Sequence, residues 1–502
     1  MSDDKKVRMK LSRHLWPDEQ KEKQRKNRTI LLMVLSMAIL FLVGFGLGTR
    51  IHSAAIPSMA SGSALDGFSQ EKLNSIYNIM RTEWYFGKDI ENLDDDLINR
   101  ALYGMSQSME DPHSTYMSAE QTLAFSSNID KNFVGIGIQY FSNPGMKMIT
   151  RVFADSPAAK AGVQEGDILL KADGISLVEL ESDEVADLVK GEAGTSLKLT
   201  VLRDNEEVTM DIVRAEVTLT AFGEMLDDTT GYLEIISFGS STGAECARYL
   251  QQMSEQGLKE LVIDLRDNGG GYLDALVDVV SLFLPENTLI MSREFKDGQR
   301  SESYTREGML DNIEGIVILI NENTASASEV LTMALKEQRD DVTLLGTTTY
   351  GKGSVQTQRP FADGSVLKYT NSRWLSPKDE WINGVGITPD VVVEAPEVLR
   401  TTISSFMMEE GESYTVDQVS EHIATAQKAL EFLGYSAGRT DGYFDKTTEK
   451  TLKQYQQERN LEVTGILDET TLQSLYSRVR YSWSVDKSVD NQLQSALEIL
   501  HG

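Results

Sequence analysis

Between residues 231 and 400 the chain alternates apolar strand-like runs with helix-like segments, and this alternation limits the fold more than any other feature. The runs GYLEIISF, LVIDL, GIVILIN and VTLLG are short and bounded by turn signals. Between them lie GAECARYLQQMSEQ, YLDALVDVVSLFL and SEVLTMALKEQ, which read as helices. Strands separated in this way by helices imply a layered α/β core.

The rest of the 502-residue chain is long enough for two or three further domains. Residues 68–130 read as helical, with Leu73, Ile76, Ile79 and Met80 at helical spacing until Asp111-Pro112 breaks the pattern. Residues 131–216 alternate short β-like runs with turns. Residues 413–480 form a separate helical unit, in which Val419, Ile423, Ala426, Leu430 and Leu433 make one apolar stripe. Asp445 and Asp468 are placed to cap its two later helices. A last helical stretch, QLQSALEIL, lies within 481–502.

The N-terminus has a different character. Residues 29–48 contain no charge, and twenty helical residues span about 30 Å, the thickness of a bilayer core. Residues 1–28 carry ten Lys/Arg, and only Arg50 follows the run closely, so the positive-inside rule leaves 1–28 in the cytoplasm. The expectation is a retained single-pass anchor in a bacterial cell membrane, a tether at 49–67 and an extracytoplasmic body. A leader cleaved near Ser58 or Ala60 is the alternative. The formal net charge of −29 leaves no basic face for nucleic acid. The single cysteine, Cys246, cannot form an intrachain disulfide and reads as a small buried side chain.

Three short segments carry chemistry. Ser326 follows the strand GIVILIN and opens a helix, where backbone N–H groups point at the space an oxyanion would occupy. A plain helix cap is the competing reading, and Ser328 is a rival nucleophile. A serine hydroxyl needs a base. The five histidines are His14, His52, His113, His422 and His501, and none lies within 231–400. Buried lysine can replace histidine once its pKa falls. Lys352, between Gly351 and Gly353, is the candidate, with Gln356 four residues on to position its amine or the substrate; a solvated surface lysine is the alternative. The third segment, Asp267-Asn268-Gly269-Gly270-Gly271, can present backbone N–H groups but lacks the spacing of a nucleotide-binding loop.

Together LVIDLRDNGGGYLDALV, INENTASASEVLTMAL, YGKGSVQ and GVGITPD resemble the carboxy-terminal processing (tail-specific) proteases over about 70–400 and at the chain's end. The resemblance implies a crotonase/Clp-protease-like α/β core at 217–400 in a multidomain α/β chain. It makes Ser326 the nucleophile, Lys352 the base, and Gln356 the residue that orients it. Gly269, Gly270 and Ala327 would form the oxyanion hole, with no metal and no organic cofactor. FVGIGIQY and SPAAKAGVQEGDILLKADG resemble an inserted PDZ domain, in which Val134, Gly135, Ile136 and Gly137 would receive a substrate's terminal carboxylate. LGYSAGRTDGYFDKTTEKTLKQYQQERNLEVTGILDETTL resembles a three-helix peptidoglycan-binding domain, with Arg439 and Tyr443 as candidate contacts. The implied function is cleavage of exported proteins near apolar C-terminal tails by a membrane-anchored homodimer that also meets peptidoglycan. A non-catalytic PDZ and wall-binding adaptor, or a wall hydrolase, are the competing classes.

Overall fold

A computed structural model describes residues 67–502 apart from 144–145, 179, 205 and 410. The tail at 1–28, the anchor at 29–48 and all but the last residue of the 49–67 tether therefore lie outside the described residues. Among those described, no helix is long and apolar enough to cross a membrane.

The central sheet runs in the order Ala221–Met225, Thr230–Ile235, Glu260–Asp264, Gly315–Ile320, Val342–Gly346 and Val391–Val392. Its first pair is antiparallel and the rest are parallel. Side chains alternate between faces along each strand. Val262, Val317, Leu319 and Leu345 meet Leu493 and Ala496 of the final helix, Asn491–His501. Leu261, Ile263, Ile316, Ile318 and Leu344 point the other way and are at most 2% exposed. Helices Thr242–Glu255, Leu273–Val280 and Ala327–Gln338 form a layer with one another. Gly231 admits that layer, since a Cβ there would stand 2.8 Å from Met253 Sδ. Cys246 is fully buried, as expected of a small apolar side chain.

Parallel strands send all their C-terminal ends to one edge, where α/β proteins usually build their sites. The loops leaving Glu260–Asp264, Gly315–Ile320 and Val342–Gly346 carry Gly269–Gly270, Ser326 and Lys352 in turn.

A second, antiparallel sheet supplies the other wall. Val366–Leu375 pairs with Leu289–Phe295, Ser354–Pro360 and the short strand Thr115–Met117. That last strand departs from the all-helical reading of 68–130. Helices Gly67–Thr82, Leu93–Ser106 and Ala119–Asp130 are present. The break at Asp111-Pro112 also frees the chain to pair Thr115 with Lys368.

The inserted β-domain holds strands Ile138–Asn143, Met146–Val152, Ile168–Ala172, Ser196–Arg203 and Glu206–Val213, with helix Ser182–Val189. Its entry and exit segments, Asn132–Gly135 and Ala215–Thr218, pair with each other as a stem.

Helices Glu421–Phe432, Lys446–Glu458 and Glu469–Val485 enclose a separate core around Ile423, Leu430, Tyr455 and Leu472. Asp445 accepts from Thr448 N and Asp468 from Thr471 N, each at 2.8 Å, as N-caps do. The third helix runs unbroken through residue 480, so the boundary expected there is not a structural one. Tyr443 is half-buried rather than exposed, and Arg439 lies 4.7 Å above its ring.

Candidate active site

Ser326 sits at φ 60°, ψ −118°, outside the regions open to most non-glycine residues. Such backbone costs about 1–3 kcal/mol and persists only where neighbours enforce it. The neighbours are identifiable. Asn268 is fully buried, and its carbonyl accepts from Ala325 N at 3.0 Å and Ser328 Oγ at 2.9 Å. Ser328 is therefore a buried tie between two loops, which leaves Ser326, at 4% exposure, as the serine near the surface of the turn. At φ 100°, Gly270 lies so close that a Cβ would stand 2.9 Å from Ala325 O, Ala327 N and Ser326 Cβ. Glycine alone fits both constraints.

Glu329 links this turn to the lysine loop. Its carboxylate is fully buried and accepts from Ser326 N, Lys352 N, Gly351 N and Thr349 Oγ1 at 2.6–2.8 Å. Four donors converge on two oxygens, an arrangement that suits an ionised carboxylate and leaves a proton no acceptor. Burial pushes its pKa up, and these hydrogen bonds oppose the rise. One oxygen thus holds the backbone N–H of both Ser326 and Lys352 at 2.8 Å, which brings the two residues together. Trp374 Nε1 fixes the lysine loop from the far side by donating to Lys352 O at 2.8 Å.

Lys352 is 4% exposed. Burial holds its amine down at about 8, against the opposite pull of Glu329 and Asp111. Gln356 is buried nearby, but its amide nitrogen donates to Ser354 Oγ and Thr370 Oγ1, each at 3.0 Å, and not to Lys352. Thr370 Oγ1 donates in turn to Asp111 Oδ1 at 3.0 Å. Ser114 Oγ also donates to Asp111 and accepts from Thr370 N at 2.9 Å.

Asp111, His113 and Lys352 line one cavity of about 770 Å³, with Tyr350 and Trp381 half-exposed at its wall. Lys368 is a second buried amine, 1% exposed and held down at about 7 by burial and by Lys352. His113 is held down at about 4 by burial, Lys352 and Lys368. A histidine that weakly basic stays neutral near pH 7 and is a poor proton acceptor.

Sequence reasoning missed Glu329, Asp111, Thr370 and Lys368. Glu329 had a visible signal, because Ser326-x-x-Glu329 fits a helix-capping pattern. Lys368 had a fainter one, standing in phase with buried Val366 on an alternating strand. Asp111 and Thr370 had none, since their pairing spans 259 residues.

Of the expected oxyanion donors, Gly270 N–H is already given to Asn268 Oδ1 at 2.8 Å. Gly269 N–H takes no hydrogen bond among the described residues. Ala327 N–H belongs to the first turn of its helix, where no intrahelical partner exists. In the β-domain, Val134 and Gly135 lie in the stem, paired with Glu216 and Ala215. The turn itself is Ile136–Gly137, with Ala158 N donating to Ile136 O and Gly137 at φ 77°. Among the described residues, strand Ile138–Asn143 beyond it pairs with Met146–Val152 alone, so its other edge carries no strand, though Phe141 meets Tyr481 of helix Glu469–Val485 at 6.0 Å between ring centres.

Comparison with known proteins agrees with this architecture. The profile of Peptidase family S41 matches residues 229–393. A PDZ domain profile matches 148–203, and a peptidoglycan binding domain profile matches 419–475. The carboxy-terminal processing protease CtpA of Bacillus subtilis is 33% identical over 441 residues, 87% of this chain and 92% of that one. A CtpA-like serine protease of Staphylococcus haemolyticus is 32% identical over 402 residues, covering 80% and 79%. Among solved structures, a photosystem II D1 C-terminal processing protease aligns at 25% identity and TM-score 0.37, over 67% of this chain and 94% of that one. The chain belongs to peptidase family S41 and is a serine protease of the carboxy-terminal processing kind, built with a PDZ domain and a peptidoglycan-binding domain.

Proposed function

We propose that the protein cleaves exported polypeptides near their C-termini with a Ser326–Lys352 pair. The observation that carries this reading is the Glu329 carboxylate, which holds the N–H groups of both residues at 2.8 Å. With a pKa of about 8, Lys352 is neutral in roughly a tenth of molecules at pH 7, against fewer than about one in a thousand for an ordinary lysine. The neutral amine takes the Ser326 hydroxyl proton as Oγ attacks the scissile carbonyl. Gly269 and Ala327 N–H groups receive the oxyanion. The new ammonium then protonates the departing amine, and water releases the acyl group by the same steps. Gln356 acts through Thr370 and Asp111 to hold the wall of the lysine pocket. No step calls for a metal or an organic cofactor.

The 131–216 domain supplies recognition. An apolar tail adds as a strand to the open edge of Ile138–Asn143, and its carboxylate is received at the turn formed by Ile136 and Gly137, next to Val134 and Gly135. The 413–480 unit keeps the enzyme at peptidoglycan, and residues 29–48 anchor it so that the catalytic part faces outward from a bacterial cell membrane. Half-exposed Leu73, Ile76 and Ile79 on helix Gly67–Thr82 suit the interface of a homodimer.

The test is cleavage of an unstructured polypeptide ending in an apolar tail by wild type, Ser326→Ala and Lys352→Ala. Both variants should unfold like wild type and lose cleavage by roughly 10⁴-fold or more. Cleavage retained by either folded variant would end the proposal, whereas an adaptor role would stand only if the wild type itself failed to cleave.

A further inference from the structure

Arg266 stands just ahead of the glycine loop, within the stretch LVIDLRDNGGGYLDALV, and the proposed mechanism gives it no role. All five of its N–H donors are engaged. Nε donates to Asp264 Oδ1 at 3.0 Å, and Nη2 donates to Asp264 Oδ2 at 2.6 Å and Asp490 Oδ2 at 2.7 Å. Nη1 donates to Asp490 Oδ1 at 3.1 Å and Gln492 Oε1 at 2.9 Å. Asp264 belongs to the strand that ends at the loop. Asp490 and Gln492 come from more than 220 residues away, at the start of the final helix. Asp490 also caps that helix, accepting from Gln492 N and Leu493 N.

The contacts continue on both sides. Trp483, in the last helix of the peptidoglycan-binding unit, lies 5.6 Å from the guanidinium. Lys487 lies 4.6 Å over the ring of Tyr232, whose hydroxyl donates to Asp264 Oδ2 at 2.7 Å. Thus the segment from 483 to 492, which joins the peptidoglycan-binding unit to the final helix, holds Arg266 directly and reaches Asp264 through Tyr232. Next to Arg266 in the chain, Asp267 at φ 60° accepts from Asn321 Nδ2 at 3.0 Å and Asn323 Nδ2 at 2.7 Å. Those asparagines lead directly into the Ser326 turn.

We propose that Arg266 is a positioning residue for the cleavage reaction, and that Asp490 is the point through which the C-terminal segment sets the glycine loop. The physical reason is the shared cation. Two carboxylates, 7% and 9% exposed, depend on one guanidinium. Withdrawing Asp490 leaves buried charge and donors unmatched beside a loop already held at positive φ at Asp267, Gly270 and Gly271. A displacement well under 1 Å at Gly269 is enough to misdirect an oxyanion donor. This inference rests on the reading that the glycine loop receives the oxyanion.

The experiment uses the full chain with Asp490→Asn and Arg266→Lys, singly and together. Asparagine still caps a helix, so Asp490→Asn removes the charge while keeping the final helix. The expected result is a kcat per folded enzyme lower by roughly 10–100-fold with KM within about two-fold. The double variant should be no worse than the poorer single one, because both break one contact. Wild-type kcat in Asp490→Asn, additive losses, or a loss accounted for entirely by the unfolded fraction would overturn the proposal. Ser326→Ala in the same assay separates the two ideas. If it is inactive while Asp490→Asn is normal, only this inference fails. If it still cleaves, the reading of the site fails first.

Discussion

The Ser326 turn and the Lys352 pocket are built in different ways. The turn is held mostly from within the α/β core: Gly270 packs against it, and Asn268 and Glu329 bond to it or its flanks. The lysine pocket draws on distant parts of the chain. Asp111 and His113 arrive from the N-terminal region, and Lys368 and Thr370 from the second sheet. The difference teaches that a nucleophile turn can be written in one short stretch. A lowered lysine pKa needs burial, and burial here draws on residues more than 200 positions away.

Substitutions can separate these two kinds of construction. The largest effect should come from Gly270→Ala. A Cβ there meets three atoms at 2.9 Å on backbone of φ 100°, so the turn must move. Cleavage should fall by roughly 10³-fold, with thermal unfolding showing a loss of about 2 kcal/mol. Near-wild-type turnover would show that the turn is not so tightly determined.

Glu329→Gln strikes both regions at once. The amide turns a donor towards at least one of the four donors that the carboxylate satisfies, at about 1–3 kcal/mol. Denaturant unfolding should show that loss. The pH midpoint of the remaining activity should move to lower pH, because Glu329 raises the Lys352 pKa. An unmoved midpoint would separate Glu329 from the lysine.

Lys368→Met touches the lysine pocket alone. Held down at about 7, Lys368 has mostly lost its charge before Lys352 titrates at about 8, so removing it should leave the cleavage midpoint within about half a unit of wild type. Unfolding stability should hold or rise, since a buried amine is replaced by an apolar side chain. A larger midpoint shift in either direction would contradict this view of the pocket.

The smallest effect belongs to a control outside both regions. Asp445→Ala removes an N-cap in the peptidoglycan-binding unit and should cost about 1 kcal/mol there, seen by hydrogen exchange, with cleavage unchanged. A fall in cleavage would mean that this unit's own stability governs the active site.

Much of this was legible in the sequence because the determinants are local. The parallel core strands, the caps at Asp445 and Asp468 and the Ser326 turn each declare themselves within about ten residues. The sequence singles out Gln356 but not its partner, because Thr370 lies on the next strand and register cannot be read from one strand alone. Thr115–Met117 was missed for a similar reason. Three residues carry too little pattern, and only pairing with Val366–Leu375 makes them a strand. Nothing local marks the role of Arg266, because its second carboxylate lies 224 residues away.

The most direct measurement of the central claim is the pH dependence of kcat/KM for wild type, Lys352→Ala and His113→Ala. The account expects one ascending limb with a midpoint near 8, lost together with cleavage in Lys352→Ala and retained in His113→Ala. A limb near pH 6–7 that survives Lys352→Ala and vanishes in His113→Ala would make the histidine the base and contradict the account.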